Sequence, residues 1–166
     1  QIDLVATVAS AFSEFAKLPP KNDESFKLKE ELENLVRVSN DDGNIYFHAN
    51  KDMMPVRMDR IYLSRIFTNM ITNAKQAVSE QRKSIINIDA ELFNKKIIIV
   101  IEDNGIGIPK DKLEQIFEPN FTTKNSGMGL GLTMVKKMIE EYKGDISVKS
   151  EEGKGTTFTI ILPTNV

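Results

Sequence analysis

The sequence predicts a two-layer α/β domain. It holds a mixed, mainly antiparallel sheet of about five strands, covered on one face by about three helices, with a helical appendage at the N-terminus. Three observations carry this reading. Apolar residues recur every three to four positions in several stretches. Two stretches, Ile86–Leu92 and Ile97–Glu102, carry alternating or β-branched apolar residues. Between the last strand of that pair and the final helix lies a long glycine-rich segment with no period.

Residues 1–17 predict a helix, with Val5, Val8, Ala9, Phe12, Phe15 and Ala16 on one face. Pro19-Pro20 ends it, because proline lacks the amide donor and clashes with the preceding turn. The polar stretch Lys21–Ser25 reads as a linker. A second helix carries Leu28, Leu32, Leu35 and Val36 on one stripe. Asp41-Asp42-Gly43 is a turn, and Asn44–His48 and Met54–Met58 read as short strands. A long helix from Arg60 to Glu80 places Leu63, Ile66, Phe67, Met70, Ile71, Ala74, Ala77 and Val78 on a broad apolar face. Ile86, Ile88, Ala90 and Leu92 alternate with polar residues. Lys95-Lys96 marks a hairpin, and Ile97–Glu102 reads as a strand buried on both faces. Asp103 to Gly131 holds five of the nine glycines, with a short helix expected over Lys110–Phe117. A helix to Tyr142 and strands Asp145–Ser150 and Thr156–Leu162 complete the chain.

Composition excludes several functions. The chain has 166 residues, 40% of them apolar, which suffices for a core. Twenty-two Lys plus Arg against 24 Asp plus Glu leave a net charge of −2, so a general grip on nucleic acid is not expected. There is no cysteine, hence no disulfide, thiolate catalysis or Cys-ligated zinc. A single histidine, His48, excludes any two-histidine site. The apolar run Ile97–Ile101 is too short to cross a bilayer. The first residue is not methionine, so the expectation is a cytoplasmic domain from a longer protein, with anchoring of that parent in an inner membrane left open.

Four constellations carry chemistry. Asn69, Asn73 and Gln76 sit at i, i+4 and i+7, along one line on the shoulder of the long helix. An amide oxygen is a hard, neutral ligand suited to Mg²⁺, although a polar helix edge has the same pattern. Asp103-Asn104-Gly105-Ile106-Gly107-Ile108 follows a buried strand. It offers a carboxylate for an exocyclic amine and glycines for close approach, or else a plain turn. Ser126-Gly127-Met128-Gly129-Leu130-Gly131-Leu132 leads into a helix, where free N–H groups and the positive dipole end favour phosphate; a flexible hinge is the other reading. It has neither the Rossmann nor the Walker A spacing. Thr122-Thr123-Lys124 adds hydroxyls and a charge for a terminal phosphate. Gly153-Lys154-Gly155-Thr156-Thr157-Phe158 alone reads as a hairpin turn.

In this order and spacing, these pieces resemble the catalytic, ATP-binding domain of bacterial two-component sensor histidine kinases, within the gyrase, heat-shock-90, histidine-kinase and mismatch-repair ATPase superfamily. The resemblance runs over roughly residues 26–163: Arg65–Ala77 as the asparagine box, Asp103–Ile108 and Ser126–Leu132 as two glycine boxes, Ile116–Lys124 as the phenylalanine box, and Gly153–Phe158 as a fifth matching segment. Phe117-Glu118-Pro119-Asn120-Phe121-Thr122-Thr123-Lys124 is similar to the nitrogen-regulation type. Residues 1–18 resemble the end of a dimerisation helix, leaving 19–25 as linker and 26–166 as the catalytic domain.

The resemblance implies a Bergerat-type ATP-binding fold with ATP and Mg²⁺ as cofactors. Asn73 would ligate the metal and Asn69 would support the metal–phosphate end. Asp103 would read the adenine amine, with Gly105, Gly107 and Ile108 shaping the pocket around it. Lys110 to Met128 would form a lid. Gly127, Met128, Gly129, Leu130 and Gly131 would surround the phosphates, joined by Thr122, Thr123 and Lys124, and Thr157 would meet the adenine through water. Gln76 and Ala77 occupy positions where many members carry Lys and Tyr. Implied partners are a phosphoacceptor histidine on the protein's own dimerisation domain, a response regulator receiver domain and, in the full-length protein, a second copy as homodimer. His48 is followed by Ala49 and lies between strands, so the acceptor is expected outside this chain. Two alternatives remain: an ATP-hydrolysing switch module of the same superfamily, and a nucleotide-binding regulatory domain without transfer. Hydrolysing members place a glutamate four residues before the metal asparagine to activate water. Here that position is Asn69, which cannot take a proton.

Overall fold

A computed structural model describes residues 18–119 and 131–164. The helical reading of 1–17 therefore lies outside the described residues. The elements, in order, are β1 (Glu24–Lys27), α1 (Leu28–Ser39), β2 (Ile45–Ala49), β3 (Pro55–Met58), α2 (Arg60–Gln76), β4 (Ile86–Phe93), β5 (Lys96–Asp103), α3 (Lys110–Leu113), α4 (Gly131–Glu141), β6 (Asp145–Glu151) and β7 (Gly155–Pro163).

Five strands form one sheet in the order β2-β4-β5-β7-β6. The β2–β4 pair is parallel and the other pairs are antiparallel. The expected two-layer class holds, with four helices among the described residues; α3 is the short helix expected over Lys110–Phe117, here confined to Lys110–Leu113. On the inner face Ile86, Ile88 and Ala90 of β4 meet Ile97, Ile99 and Ile101 of β5 and Phe158, Ile160 and Leu162 of β7, all buried. Leu28 and Leu32 of α1, Ile66 and Met70 of α2, and Val135 and Ile139 of α4 join the same core. Each fully buried side chain of this size contributes about 1.5–3 kcal/mol.

Several expectations are corrected by contacts made at long range. The residue pair turning between β4 and β5 is Asn94-Lys95, one position before the predicted pair, and both have positive φ (48° and 61°). That is the geometry whose twist suits a two-residue hairpin, and asparagine tolerates it well. The strand β5 is buried on one face only: Ile98 and Val100 are half-buried on the face opposite the helices. The stretch read as linker to Ser25 already holds β1, which pairs antiparallel with β3 in a separate two-stranded ribbon. Leu28 N–H donates to Met54 O at 2.8 Å and fixes the ribbon to the start of α1.

The helix α2 positions the site. Asp59 caps it, its Oδ1 accepting from Ile61 N (2.7 Å) and Tyr62 N (3.3 Å). The helix ends at Gln76, four residues before the predicted Glu80. The Ala77 carbonyl, which would otherwise continue the helical ladder, accepts instead from Ile106 N–H at 2.7 Å. Among the described residues no helix is long and apolar enough to cross a membrane.

Candidate nucleotide-binding site

Two regions flank one end of the sheet. The first lies between α2 and α4, where a cavity of about 490 Å³ is lined by Asn69 and Asn73 on one side and by Gly131, Met134 and Met138 on the other. One helical turn separates the two asparagines, and Asn73 Nδ2 donates to Asn69 Oδ1 at 3.0 Å. That bond orients both amides: Asn69 presents its oxygen to its neighbour, and the nitrogen end of Asn73 is fixed. Gly131 lies against the same pair. A Cβ there would stand 2.9 Å from Asn69 Nδ2, so a side chain at the start of α4 would push into the asparagine line. Glycine thus permits the start of α4 to approach Asn69.

The second region is built around Asp103, the last residue of β5. It is 7% exposed. Its Oδ1 accepts from Gly105 N (2.8 Å) and Thr156 N (3.3 Å), while Oδ2 accepts no hydrogen bond from any described residue. Burial pushes its carboxyl above the ordinary value. The two backbone N–H groups act in the opposite sense, and the nearby Glu102 charge adds to the rise. Gly105 is required by closeness: a Cβ would lie 2.6 Å from both the Cβ and the carbonyl oxygen of Ala77. Gly107 has φ +76° and lies against the Glu151 carbonyl, where again no Cβ fits. Ile108 N–H donates to Ser150 Oγ (2.8 Å). That hydroxyl in turn donates to Gly155 O (2.9 Å) and stands 2.8 Å from Thr156 Oγ1.

The predicted residues therefore sort into three groups. Asn69, Asn73 and Gly131 come together, as do Asp103, Gly105, Gly107, Ile108 and Ala77. Ala77 joins through its backbone and small side chain, while Gln76 is exposed at the end of α2. Thr122, Thr123, Lys124, Gly127, Met128, Gly129 and Leu130 lie outside the described residues. Thr157 stands apart from this second group. In the β5–β7 register it pairs with Glu102, whereas Thr156 pairs with Asp103. Successive side chains alternate faces, so Thr157 stands on the sheet face away from Asp103, and Thr156, buried, stands on the same face as Asp103. The cation on this stretch of α2 is accounted for as well. Lys75 Nζ bonds the Ser39 carbonyl and pairs with Asp41, so it is turned toward the end of α1. His48 is exposed on β2, opposite Asp89, as expected of a sheet residue.

Sequence reasoning missed three supports. Ser150 and Thr156 act only through the pairing of β6 with β7, which local pattern does not reveal. Arg82 donates to the carbonyls of Asn104 (2.8 Å) and Gly153 (3.3 Å), tying the first glycine turn to the β6–β7 turn. Asn104 does the same from the other side: its Oδ1 accepts from Ile85 N (2.9 Å) and its Nδ2 donates to Lys83 O (2.9 Å).

An open cavity by an asparagine pair and a glycine-opened helix, beside a buried strand-end carboxylate set in backbone turns, defines a nucleotide-binding α/β domain. Residues 58–166 match the family described as histidine kinase-, DNA gyrase B-, and HSP90-like ATPase, and the chain belongs to that family. It is 39% identical over 120 residues to the sensor histidine kinase ZraS of Escherichia coli, covering 72% of this chain and 25% of that one. It is 40% identical over 141 residues to the signal transduction histidine-protein kinase AtoS of Escherichia coli, covering 83% and 23%. Among solved structures, the catalytic domain of histidine kinase ThkA superposes with a TM-score of 0.75 at 29% identity, covering 86% of this chain and 98% of that one. The chain thus spans about a quarter of the length of these two curated relatives and nearly all of a solved catalytic domain.

Proposed function

We propose that this chain is the Mg-ATP-binding catalytic domain of a sensor histidine kinase, transferring the γ-phosphate to a histidine on a separate dimerisation domain for relay to a response regulator. The observation that carries the choice of transfer over hydrolysis is Asn69. It stands one turn before Asn73, where hydrolysing members of the superfamily place a glutamate, and its oxygen already accepts from Asn73. An amide orients a group but removes no proton.

Asp103 would accept the adenine amine through Oδ2, held in place by the two N–H donors on Oδ1. Gly105 and Gly107 would let the base approach the backbone, and Thr156 with Ser150 would close the pocket. The donor set at the other end fits magnesium. Mg²⁺ keeps several waters and takes its remaining oxygens from phosphates and one or two protein groups, and Asn73 offers such an oxygen. When bound, the metal would neutralise charge on the phosphates. Asn69 would orient Asn73, and the N–H groups at the start of α4 would receive phosphate oxygens. Catalysis in this domain would then be alignment and charge stabilisation, with the nucleophile arriving from outside the chain.

The protein would work in the cytoplasm, where ATP is supplied, as a homodimer through its dimerisation domain. The test mixes the chain with the phosphoacceptor domain and ATP labelled at the γ-position. Label on the acceptor histidine, dependent on Mg²⁺ and outpacing release of free phosphate, is the expected result. Free phosphate without labelled protein would move the chain to the hydrolysing class, and calorimetry showing no binding of an ATP analogue would overturn the nucleotide reading itself.

A further inference from the structure

The six residues before β1 are fastened to the two helices that frame the phosphate end. Tyr62 Oη donates to Pro19 O at 2.7 Å. Asn22 N–H donates to Asp59 Oδ2 at 2.7 Å, the same carboxylate that caps α2. Tyr142, just past α4, donates its hydroxyl to Asp23 Oδ1 (2.7 Å) and accepts from Asp59 N–H (2.9 Å). The Tyr62 and Tyr142 rings meet edge to face at 5.9 Å. Lys21 lies over the Tyr142 ring at 4.9 Å and pairs with Glu141 at 3.7 Å. Leu18 is partly buried against the core.

These contacts fall on the first turn of α2 and the end of α4. The opposite parts of the same helices, Asn69 and Gly131, touch at the phosphate end. The two helices thus run side by side in opposite directions, with the strap clasped at one end and the site at the other, roughly 15 Å along each axis. A free tether of six residues would span up to about 20 Å and let the domain sample many orientations. Docked, the six residues move with the domain, and that freedom is lost from them.

We infer that residues 18–23 form a clasped strap that sets the orientation of this domain relative to whatever precedes it, and that Tyr142 is a positioning residue for phosphoryl transfer. The inference rests on the kinase reading above. Transfer rates depend on holding donor and acceptor in one geometry, so release of the strap lowers the rate of transfer without altering the nucleotide pocket. Burial and Asp23 push the Tyr142 hydroxyl well above its ordinary titration range, so it remains a donor at every working pH.

The test is Tyr142→Phe in the protein that carries this domain together with its phosphoacceptor histidine. The variant keeps the ring and its packing and removes only the two hydrogen bonds. The expected result is a single-turnover autophosphorylation rate at saturating ATP lowered at least fivefold, with the dissociation constant for a Mg-ATP analogue within twofold of wild type. A purely structural role would shift thermal stability and leave that rate alone, so a rate within twofold, or a faster one, overturns the inference. If Tyr142→Phe does not fold, Asp23→Ala, which leaves both helices and both tyrosines intact, is judged by the same numbers. A wild-type protein that binds the analogue but labels no histidine sinks the kinase reading and this inference together, whereas a labelled wild type with an equally fast variant sinks only the strap.

Discussion

The Asp103 end of the candidate site, proposed for adenine, and the Asn69–Asn73 end, proposed for phosphate, are built by opposite means. Around Asp103 nearly every contact is a short hydrogen bond to backbone: Gly105 N, Thr156 N, Ile108 N through Ser150, and Ile106 N to Ala77 O. Three glycines there lie where no Cβ fits. At the Asn69–Asn73 end a side chain bonds a side chain, Asn73 Nδ2 to Asn69 Oδ1, beside an open cavity. The difference follows from the ligand each end is suited to hold. A flat base is recognised by fixed donors and acceptors in a dry cleft. A polyphosphate brings its own charge, counterion and water, so protein needs to contribute only a few well-placed groups.

Breaking the phosphate end should give the largest effect on binding and the smallest on the fold. With Asn73 as the proposed metal ligand, Asn73→Ala should weaken Mg-dependent ATP binding by about two orders of magnitude. The same variant should melt within a few degrees of wild type, because Asn73 is only partly buried. Calorimetry with and without Mg²⁺ separates the two. An affinity that is unchanged would remove Asn73 from the site.

Next in size is the carboxylate of Asp103. Asp103→Asn should lower ATP affinity about tenfold and erode the preference for ATP over GTP, because a carboxylate accepts two N–H donors and a base amine where an amide must turn one end away. Equal binding of ATP and GTP by the wild type would break the assignment of Asp103 to the base.

The backbone-built end should instead reveal itself through stability. Gly105→Ala drives a methyl group to 2.6 Å from Ala77, on backbone that closes the end of α2, and should cost about 1–3 kcal/mol. Gly153→Ala is the control. It has φ +81° but nothing within 4 Å, so it should cost only about 1 kcal/mol from its backbone conformation. Thermal or urea unfolding of both variants checks the order. If they were equally destabilised, the close packing of the first glycine turn on α2 would not matter.

What the sequence revealed, and what it hid, divides along the same line. The asparagine pair was legible because i and i+4 on a helix share a face whatever else the chain does. The inner faces of β4 and β5 were legible from alternation, and Asp103 from its place at the end of an apolar strand. The adenine end was legible only in outline. Thr156 and Thr157 are identical in type and adjacent, and a shift of one residue exchanges the faces of a strand, so only the β5–β7 register separates them. The end of α2 is set by Ile106, far along the chain, and the direction of Lys75 by Ser39 and Asp41. The strap residues read as a polar linker because their partners, Asp59, Tyr62 and Tyr142, are distant in sequence.

The smallest expected effect concerns pH, and it sets two buried carboxylates against each other. Asp103 has its folded-state titration raised, mainly by burial. Its contribution to stability is fully present below the unfolded value near 3.8 and is lost as pH rises through the raised folded value. For Asp59 burial also acts upward, but the N–H groups of Asn22, Ile61 and Tyr62, with the Arg65 charge, outweigh it and lower the folded value. Its contribution is present above the unfolded value and is lost as pH falls through the folded one. Acidification should therefore loosen the capped end of α2 while relieving the strain of a charge buried beside the base. With Asp103 on the base amine, nucleotide binding would follow its ionisation, because only the ionised carboxylate accepts the amine with both oxygens available. Affinity for ATP should decline as pH falls through the raised titration of Asp103, and Asp103→Asn, already weakened, should show no such slope once titration of the nucleotide phosphates is subtracted. An equal slope in both proteins would assign the pH dependence to the phosphate end instead.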